Sequence, residues 1–393
     1  MLRNTTVGID IGTYQIKVVV SELQNVNGKT TTKIIGTGIS ESKGMRHGYI
    51  VNSGDVSASI STAVKIAEKA SGIKIHKAYI AVGGIGLGSA TSTGTTIVSR
   101  ADLHITDLDI EKATSNCEEN IPTNLIQNQK ILHSIPLSYK IDGKSVLTKS
   151  PLDMKGTKLE VKMLFVTCLE PHLNDLLEAV DSTGIDIVDV MASPIAASFV
   201  TLSKTQKMAG CVLANIGSET MSIVVFENNI PISMEVFPIG GTDITNDIAL
   251  GLKIPLEEAE NLKIGAIGTN SYPKKKLEEI VGARLTDMFE LIENHLKKIG
   301  RNGLLPAGIF ITGGGSGITN IEDFAKAALK LPSRIAALNT FDQKTNIKDS
   351  EWAVAYGLCV LGFSKEEKTN LGIKHAGFKL WNKIFSWIKQ FSP

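Results

Sequence analysis

The sequence places residue types that bind phosphate in two short glycine-containing segments. The first is Asp10-Ile-Gly-Thr13, followed by Lys17, and the second is Asn215-Ile-Gly-Ser218, followed by Thr220. In both, apolar β-branched residues precede the glycine, which predicts a strand that enters a tight hairpin. Successive backbone N–H groups of such a hairpin form a concavity for phosphate oxygens, and hydroxyl and ammonium groups add donors. One such segment is more often an ordinary β-hairpin, so the repetition is what predicts a phosphate site.

A third segment suits the base and ribose of a nucleotide. Gly313-Gly-Gly-Ser316 follows the apolar run Phe310-Ile-Thr312, so a planar group can lie directly against backbone. Glu260 and Lys263 are three residues apart on one helical face, where they either grip a ribose or pair with each other. The carboxylate of Asp10 can hold Mg²⁺ through the water shell of the ion. The predicted nucleotide-binding residues are Gly12, Thr13, Tyr14, Lys17, Asn215, Gly217, Ser218, Thr220, Glu260, Lys263, Gly313, Gly314, Gly315 and Ser316.

A repeated pattern predicts the elements that position these segments. Each phosphate segment opens a predicted three-strand meander that leads to a helix, at residues 55–70 in the first copy and 242–252 in the second. Two similar βββα units in one chain indicate an internal duplication. Between the copies, residues 83–162 combine strand patterns with a helix that starts at Thr106, capped by Asp109, which predicts an inserted α+β subdomain.

Composition excludes several classes of protein. The chain has 393 residues, 42% hydrophobic and 21% charged, which is typical of a globular protein of about two or three domains. Its net charge of +1 argues against a broad nucleic-acid-binding surface. The four cysteines form no C-x-x-C motif and the seven histidines show no metal-ligand spacing. We therefore expect a cytoplasmic protein without a disulfide framework or a zinc site.

The C-terminal segment 378–391 has a helical pattern with two distinct faces. Apolar residues fill one arc of the helical wheel, lysines and other polar residues fill the rest, and no acidic residue follows Glu367. A cationic polar face opposite an aromatic apolar face is typical of a helix that lies in a membrane interface. The alternative is a helix that docks on the protein's own core or in a partner's groove. The predicted membrane-binding residues are Phe378, Leu380, Trp381, Ile384, Phe385, Trp387, Ile388 and Phe391.

These features resemble the actin/Hsp70/sugar-kinase superfamily, and the whole chain is most similar to its FtsA family of bacterial cell-division proteins. The diagnostic stretch is residues 238–263, supported by Gly44-Met-Arg-His-Gly-Tyr-Ile-Val51 and Ile131-Leu-His-Ser-Ile-Pro-Leu137. The resemblance implies an α/β, actin-like (duplicated RNase H-like) two-domain fold with an inserted α+β subdomain and a C-terminal amphipathic helix. It implies the following division: 1–82 with 163–207, the first actin-like subdomain; 83–162, the inserted one; 208–241 with 307–363, the second; 242–306, a small subdomain; 364–376, a linker; and 377–393, the membrane helix.

The resemblance also implies a function. Members of this family bind ATP with Mg²⁺, form protofilaments on the cytoplasmic face of the membrane at the division septum, and tether FtsZ. The expected partners are the short acidic C-terminal peptide of FtsZ, further copies of the chain, anionic lipids and other division proteins, without nucleic acid. By resemblance the peptide docks on the small subdomain, where Arg284, Lys297 and Lys298 are the candidate charges.

Two departures from the family pattern bear on hydrolysis. Residue 215 is Asn where the second phosphate segment usually begins with Asp, and Ser193 precedes Pro194 where an acidic residue is usual. Neither side chain supplies a negative charge or a strong base at pH 7, so we expect weak or no ATPase activity. The alternatives that remain are a phosphotransferase of the sugar-kinase or acetate-kinase type, a chaperone-like ATPase, and a pilus-assembly homologue like PilM.

Overall fold

The computed structural model describes residues 5–26, 29–148, 150–265, 272–338 and 350–370. The predicted membrane-binding segment 378–391 lies outside these residues. The strands are β1 (Thr5–Ile11), β2 (Gln15–Val26), β3 (Lys29–Glu41), β4 (Met45–Arg46), β5 (Tyr49–Ile50), β6 (Lys77–Val82), β7 (Leu87–Ile97), β8 (Gln129–Ile141), β9 (Lys144–Val146), β10 (Lys158–Leu169), β11 (Asp186–Ala192), β12 (Cys211–Ile216), β13 (Met221–Glu227), β14 (Ile230–Phe237), β15 (Gly308–Thr312) and β16 (Ser333–Ile335).

The helices follow the predicted order. They are α1 (Ser53–Ser71), α2 (Asp107–Glu119), α3 (Thr123–Ile126), α4 (Glu170–Asp181), α5 (Ser193–Thr201), α6 (Lys204–Ala209), α7 (Gly241–Leu252), α8 (Leu256–Lys263), α9 (Lys274–Lys298), α10 (Ile321–Leu329) and α11 (Ala353–Asn370). The predicted cap of α2 is present, since the Thr106 hydroxyl accepts from the Asp109 amide and the Asp109 carboxylate accepts from the Thr106 amide.

Two five-stranded sheets repeat one topology, which confirms the predicted duplication. The first sheet has the order β11-β6-β1-β2-β3 and the second has the order β16-β15-β12-β13-β14. In each, a three-strand antiparallel meander is extended by two parallel strands, because β6 pairs parallel with β1 as β15 does with β12. The inserted sheet, β7-β10-β8-β9, is antiparallel and packs its own apolar cluster against α2. The actin-like two-domain architecture with an insertion is therefore confirmed.

The final helix, α11, corrects the predicted division of the chain. Residues 353–363 were expected in the second actin-like subdomain, but α11 contacts β1, β2 and β6 of the first sheet, within an apolar cluster to which both sheets contribute. Two glycines make this packing possible: a Cβ at Gly8 would collide with the carbonyl oxygen of Ala355, and one at Gly357 would collide with that of Ala196 in α5. The helix also continues to Asn370, so the segment from 364 to 370, expected as linker, is helical.

Four free cysteines lie inside these cores: Cys117, Cys168, Cys211 and Cys359. Burial raises the pKa of each thiol, to about 11 for Cys117 and to about 12 for the others. They fill space as small apolar groups. Among the residues that the structure describes, no helix combines the length and hydropathy that a membrane crossing requires.

Candidate functional site

The first hairpin (residues 10–17) and the second hairpin (residues 215–220) close in the same way. The Gly12 amide donates to the Gln15 carbonyl over 3.2 Å, and the Gly217 amide donates to the Thr220 carbonyl over 2.8 Å. A Cβ would lie 2.9 Å from the first carbonyl oxygen at Gly12 and 3.0 Å from the second at Gly217. Glycine is therefore required at both turns, and the duplication extends to the shape of the backbone.

Both hairpins open into one cavity of about 600 Å³. This volume is within the usual range for small-molecule sites, roughly 300–1,000 Å³. The cavity lies between the two sheets, where α5 contacts strands of both. Fourteen of the predicted residues line it: Asp10, Gly12, Thr13, Tyr14, Lys17, Asn215, Gly217, Ser218, Thr220, Glu260, Lys263, Gly313, Gly314 and Gly315. Residues far apart in sequence thus meet where the resemblance implied a nucleotide.

Charged side chains line the cavity both at the first hairpin and at α8, which contributes Glu257, Glu260 and Lys263. Asp10 and Lys17 are register partners across β1 and β2, and the Lys17 ammonium lies 3.5 Å from a carboxylate oxygen of Glu351. Burial raises the pKa of Asp10 to about 6, and the positive charge of Lys17 opposes this shift. A divalent cation beside Asp10 would stabilise the carboxylate form, so this residue fits a Mg²⁺ site.

The described residues contain no cluster of three or more His, Cys, Asp or Glu side chains that could enclose a metal. Mg²⁺ usually keeps several waters and takes one or two carboxylates together with substrate phosphates. One carboxylate at the floor of a cavity that can hold phosphates satisfies that requirement. The chain would hold the ion through Asp10, and the ligand would supply the rest.

The glycine loop (residues 313–317) begins with a left-handed residue and forms a short 3₁₀ turn, Gly314–Gly317. Gly313 has φ 87°, and a Cβ there would collide with the side-chain oxygen of Asn215. A Cβ at Gly314, in contrast, meets no heavy atom within 4 Å and would point into open space. The loop therefore presents bare backbone to the cavity, which favours contact with a flat group.

Ser316 is the one predicted nucleotide-binding residue that does not line the cavity. Its hydroxyl is buried, donates to the Gly313 carbonyl over 2.7 Å, and shares a 2.7 Å hydrogen bond with the Ser350 hydroxyl. The side chain thus holds the glycine loop from behind. The predicted ligand contact of Ser316 stays a prediction, and the structure gives this side chain a supporting position instead.

Glu260 and Lys263 form the ion pair that the sequence suggested, and their contact with a ribose stays a prediction. Their side chains pair over 2.7 Å, and both residues line the cavity. The Lys263 ammonium also donates to the Gly241 carbonyl over 3.1 Å and to the Thr245 hydroxyl over 2.9 Å. These bonds fix the lysine at the start of α7, so the pair forms a rigid wall of the cavity.

Several lining residues escaped the sequence analysis. Glu351, Ser350 and Asn246 line the cavity, as do Gly83 and Gly84 after β6. Gly83–Gly84 occupies the place after β6 that the glycine loop occupies after β15, so the duplication could have revealed it. Glu351 precedes α11 with no motif around it, and only the fold brings it to Lys17.

The candidate partner charges lie on α9 and are engaged within the chain. Arg284 forms a bidentate pair with Asp247, at 2.7 and 3.1 Å. Lys297 pairs with Glu293 over 2.9 Å, and Lys298 is close enough to Glu235 to lower the pKa of that carboxyl, against the larger raising effect of burial. Arg284 is therefore less available to an outside anion than its sequence position suggested.

The sequence matches two family profiles. "Cell division protein FtsA" matches residues 212–357, and "SHS2 domain inserted in FTSA" matches residues 84–167, which contain the inserted sheet. The FtsA of Bacillus subtilis (strain 168) is 30% identical over 373 residues, 90% of this chain and 82% of the relative. This chain belongs to the FtsA family. The FtsA of Pseudomonas aeruginosa is 28% identical over 383 residues, covering 92% of this chain and 89% of the relative.

Solved structures agree on the fold. A chain of the PilM-PilN type IV pilus biogenesis complex has a TM-score of 0.67 at 17% identity, covering 91% of the FtsA-family chain and 98% of its own. MreB5 of Spiroplasma citri bound to ADP has a TM-score of 0.53 at 12% identity, covering 94% and 99%. At such identities the likeness establishes the actin-like fold alone.

Proposed function

We propose that this chain is an ATP-binding, actin-like cell-division protein that polymerises on the cytoplasmic face of the membrane at the septum and tethers FtsZ there. The observation that carries the proposal is the convergence of both hairpins and the glycine loop on one cavity. Membership of the FtsA family supplies the cellular role. Asn215 and Ser193 are neutral where the resemblance implies acidic side chains, so we expect this chain to differ from the family pattern in hydrolysis.

The cavity suggests how Mg²⁺–ATP would lie. The phosphates would accept hydrogen bonds from the backbone and hydroxyls of Thr13, Ser218 and Thr220, while Lys17 adds positive charge. The base would lie on the glycine loop and the ribose beside Glu260. The binding of ADP by MreB5 and of AMPPNP by a second solved form of that protein supports this class of ligand. Bound Mg²⁺, held by Asp10 through water, would neutralise phosphate charge.

Hydrolysis is proposed to be slow. A water that attacks the terminal phosphate needs an acceptor that orients it and takes its proton, and both Asn215 and Ser193 are neutral. The carboxylate of Glu351 is already paired with Lys17, which favours a charge-balancing role for it. Nucleotide would then act mainly as a bound conformational ligand.

The membrane contact is assigned to residues 378–391. Each apolar side chain is worth at most about 1.5–3 kcal/mol when fully buried, and interfacial burial is partial. Each lysine adds about 1 kcal/mol near an anionic surface, while ordering the segment has an entropic cost. One copy should bind reversibly, and a filament that presents several copies to one bilayer should bind far more strongly.

Co-sedimentation with FtsZ and anionic liposomes tests the whole proposal. We expect ATP to increase the amount of protein and of FtsZ that pellets with liposomes, and Trp387→Glu to release both while ATP binding persists. FtsZ that pellets equally without this protein would overturn the tethering role. A Trp387→Glu variant that still pellets like the wild type would reject the segment as the anchor.

The sequence left open a second candidate, a pilus-assembly role like that of PilM, and a chain of the PilM-PilN complex shares the actin-like fold. The candidates differ in partner, since only the cell-division role requires FtsZ. Binding of the acidic FtsZ peptide, and its weakening by charge reversal at Lys297 and Lys298, would support the first. Absence of any FtsZ binding would favour the second.

A further inference from the structure

The segment Gly44–Val51, which the sequence singled out, contacts both hairpins, and its Gly48 lines the cavity. The His47 amide donates to a carboxylate oxygen of Glu219 over 2.5 Å, and the His47 ring nitrogen Nδ1 lies 3.4 Å from the Glu219 carbonyl oxygen. One residue further on, the Gly48 amide donates to the Thr13 hydroxyl over 3.1 Å. Adjacent backbone amides thus bind the first hairpin on one side and the second on the other.

The backbone around His47 is fitted for this contact. His47 and Gly48 both have positive φ, 48° and 81°, which turns their successive amides toward the cavity. A Cβ at Gly48 would collide with Gly84, so the segment packs directly on the turn that leads into the inserted sheet. The Ile85 amide donates back to the His47 carbonyl over 3.4 Å.

The turn beneath this segment is itself held in place. The buried His172 ring donates from Nε2 to the Gly83 carbonyl over 3.0 Å, and its ring meets Tyr49 edge-on with centroids 4.8 Å apart. His172, in α4, therefore contacts both the Gly83 turn and Tyr49, and these two in turn hold the backbone of His47 in place. The first domain thus holds the His47 amide in place as a donor. Among the described residues of the second hairpin, Glu219 is the one that accepts from it.

We propose that Glu219 is a positioning residue: its hydrogen bond from the His47 amide latches the second hairpin to the first domain and sets how readily the cavity opens. The donor is a backbone amide and the acceptor is a carboxylate oxygen, and hydrogen bonds assisted by charge are the stronger class. The imidazole of His47 is secondary, since its Nδ1 is 4.0 Å from the carboxylate and its side chain is 42% exposed. The latch closes the cavity with or without a ligand, and its effect on nucleotide rests on the proposed function.

Three substitutions test whether Glu219 acts as a latch or only supports the fold. Glu219→Ala removes the acceptor, Glu219→Gln keeps an acceptor oxygen without the charge, and His47→Ala leaves the backbone donor in place. We expect Glu219→Ala to have the largest effect, Glu219→Gln an intermediate one because the hydrogen bond loses its charge, and His47→Ala an effect close to none. Glu227→Ala is the matched control, because Glu227 pairs with Arg301 over 2.8 Å within the second domain.

The experiment has a readout that needs no nucleotide. Spin labels on cysteines introduced at exposed Lys69 and Glu279 report the distance between the domains by pulsed electron spin resonance. We expect Glu219→Ala to broaden and lengthen this distribution, and to speed release of a fluorescent ATP analogue about tenfold or more, the size of one charge-assisted hydrogen bond. Thermal unfolding of each variant confirms that it is folded.

The outcomes are distinct. An unchanged distance distribution in folded Glu219→Ala overturns the latch, whatever nucleotide does. A broadened distribution with no nucleotide binding in any variant, wild type included, supports the latch and overturns the proposed function. An effect of His47→Ala as large as that of Glu219→Ala would assign the contact to the imidazole and reject the backbone latch.

Discussion

The two hairpins share a backbone and differ in charge. Each closes on a glycine amide, and each lies beside a parallel strand that ends in glycines, β6 before Gly83 and β15 before Gly313. The first carries a carboxylate and an ammonium, whereas the second has Asn215 and hydroxyls in the equivalent places. The duplication has kept the backbone of the hairpin. The two charged residues Asp10 and Lys17, however, have uncharged counterparts in the second copy.

The asymmetry has a structural counterpart at the neighbouring glycines. After β6, Gly83 and Gly84 are covered by the His47 segment and by Ser193. After β15, the Gly314 position remains open to the cavity. The glycines after β6 thus pack against the segment that joins the two domains. The Gly314 position after β15 is left free for a ligand.

The largest effect should come from filling that open side. Gly314→Trp adds a ring where a Cβ meets no protein atom, so folding should be unaffected while nucleotide binding is abolished. Isothermal titration with ATP and thermal unfolding check the two expectations. Gly88→Trp, also without a heavy atom within 4 Å of its Cβ but outside the cavity, is the control. Wild-type affinity in Gly314→Trp would reject this position for the base.

The next largest effect should follow from replacing the carboxylate of the first hairpin by the amide that the second hairpin has at the equivalent position, Asn215. Asp10→Asn keeps size and shape but removes the carboxylate that fits Mg²⁺. We expect ATP affinity in the presence of Mg²⁺ to fall about tenfold or more, equivalent to about 1.4 kcal/mol, and the difference between Mg²⁺ and EDTA to vanish. Persistence of the full Mg²⁺ effect would show that the ion is held elsewhere.

The reverse substitution should increase ATP hydrolysis. Asn215→Asp gives the second hairpin a carboxylate at the position equivalent to Asp10, and we expect ATP hydrolysis to rise by on the order of tenfold. Phosphate release by the wild type should be slower than ~1 s⁻¹, below the ordinary enzyme range. A faster wild type, or an inert Asn215→Asp, would separate slow turnover from the missing carboxylate.

The smallest effect should come from Ser316, which supports the glycine loop from behind. Ser316→Ala removes two hydrogen bonds but no cavity-lining group, so ATP affinity should change by less than about threefold. The free energy of unfolding should fall by about 1–2 kcal/mol, measured by urea denaturation. A large loss of affinity with unchanged stability would restore Ser316 as a ligand contact.

Local patterns in the sequence predicted most of the fold and the site's backbone. Alternation, capping at Thr106 and the repeated glycine turns depend on residues within a few positions of one another, which a sequence displays directly. The contacts that were missed join distant parts of the chain: His47 with Glu219, Lys17 with Glu351, and α11 with the first sheet. Such pairs join residues far apart in the chain, which no local period reveals.

Helix α11 connects two ends of the molecule. Its approach lines the cavity at Glu351, and further along the Cys359 thiol lies against the Thr6 carbonyl, at the end of β1 away from the cavity. Its 18 residues span about 27 Å at about 1.5 Å per residue. The proposed membrane segment follows this helix in sequence. A membrane attachment at the proposed segment would pull on the far end of this helix, while its near end borders the cavity, so the strength of the tether would act on the occupancy of the site.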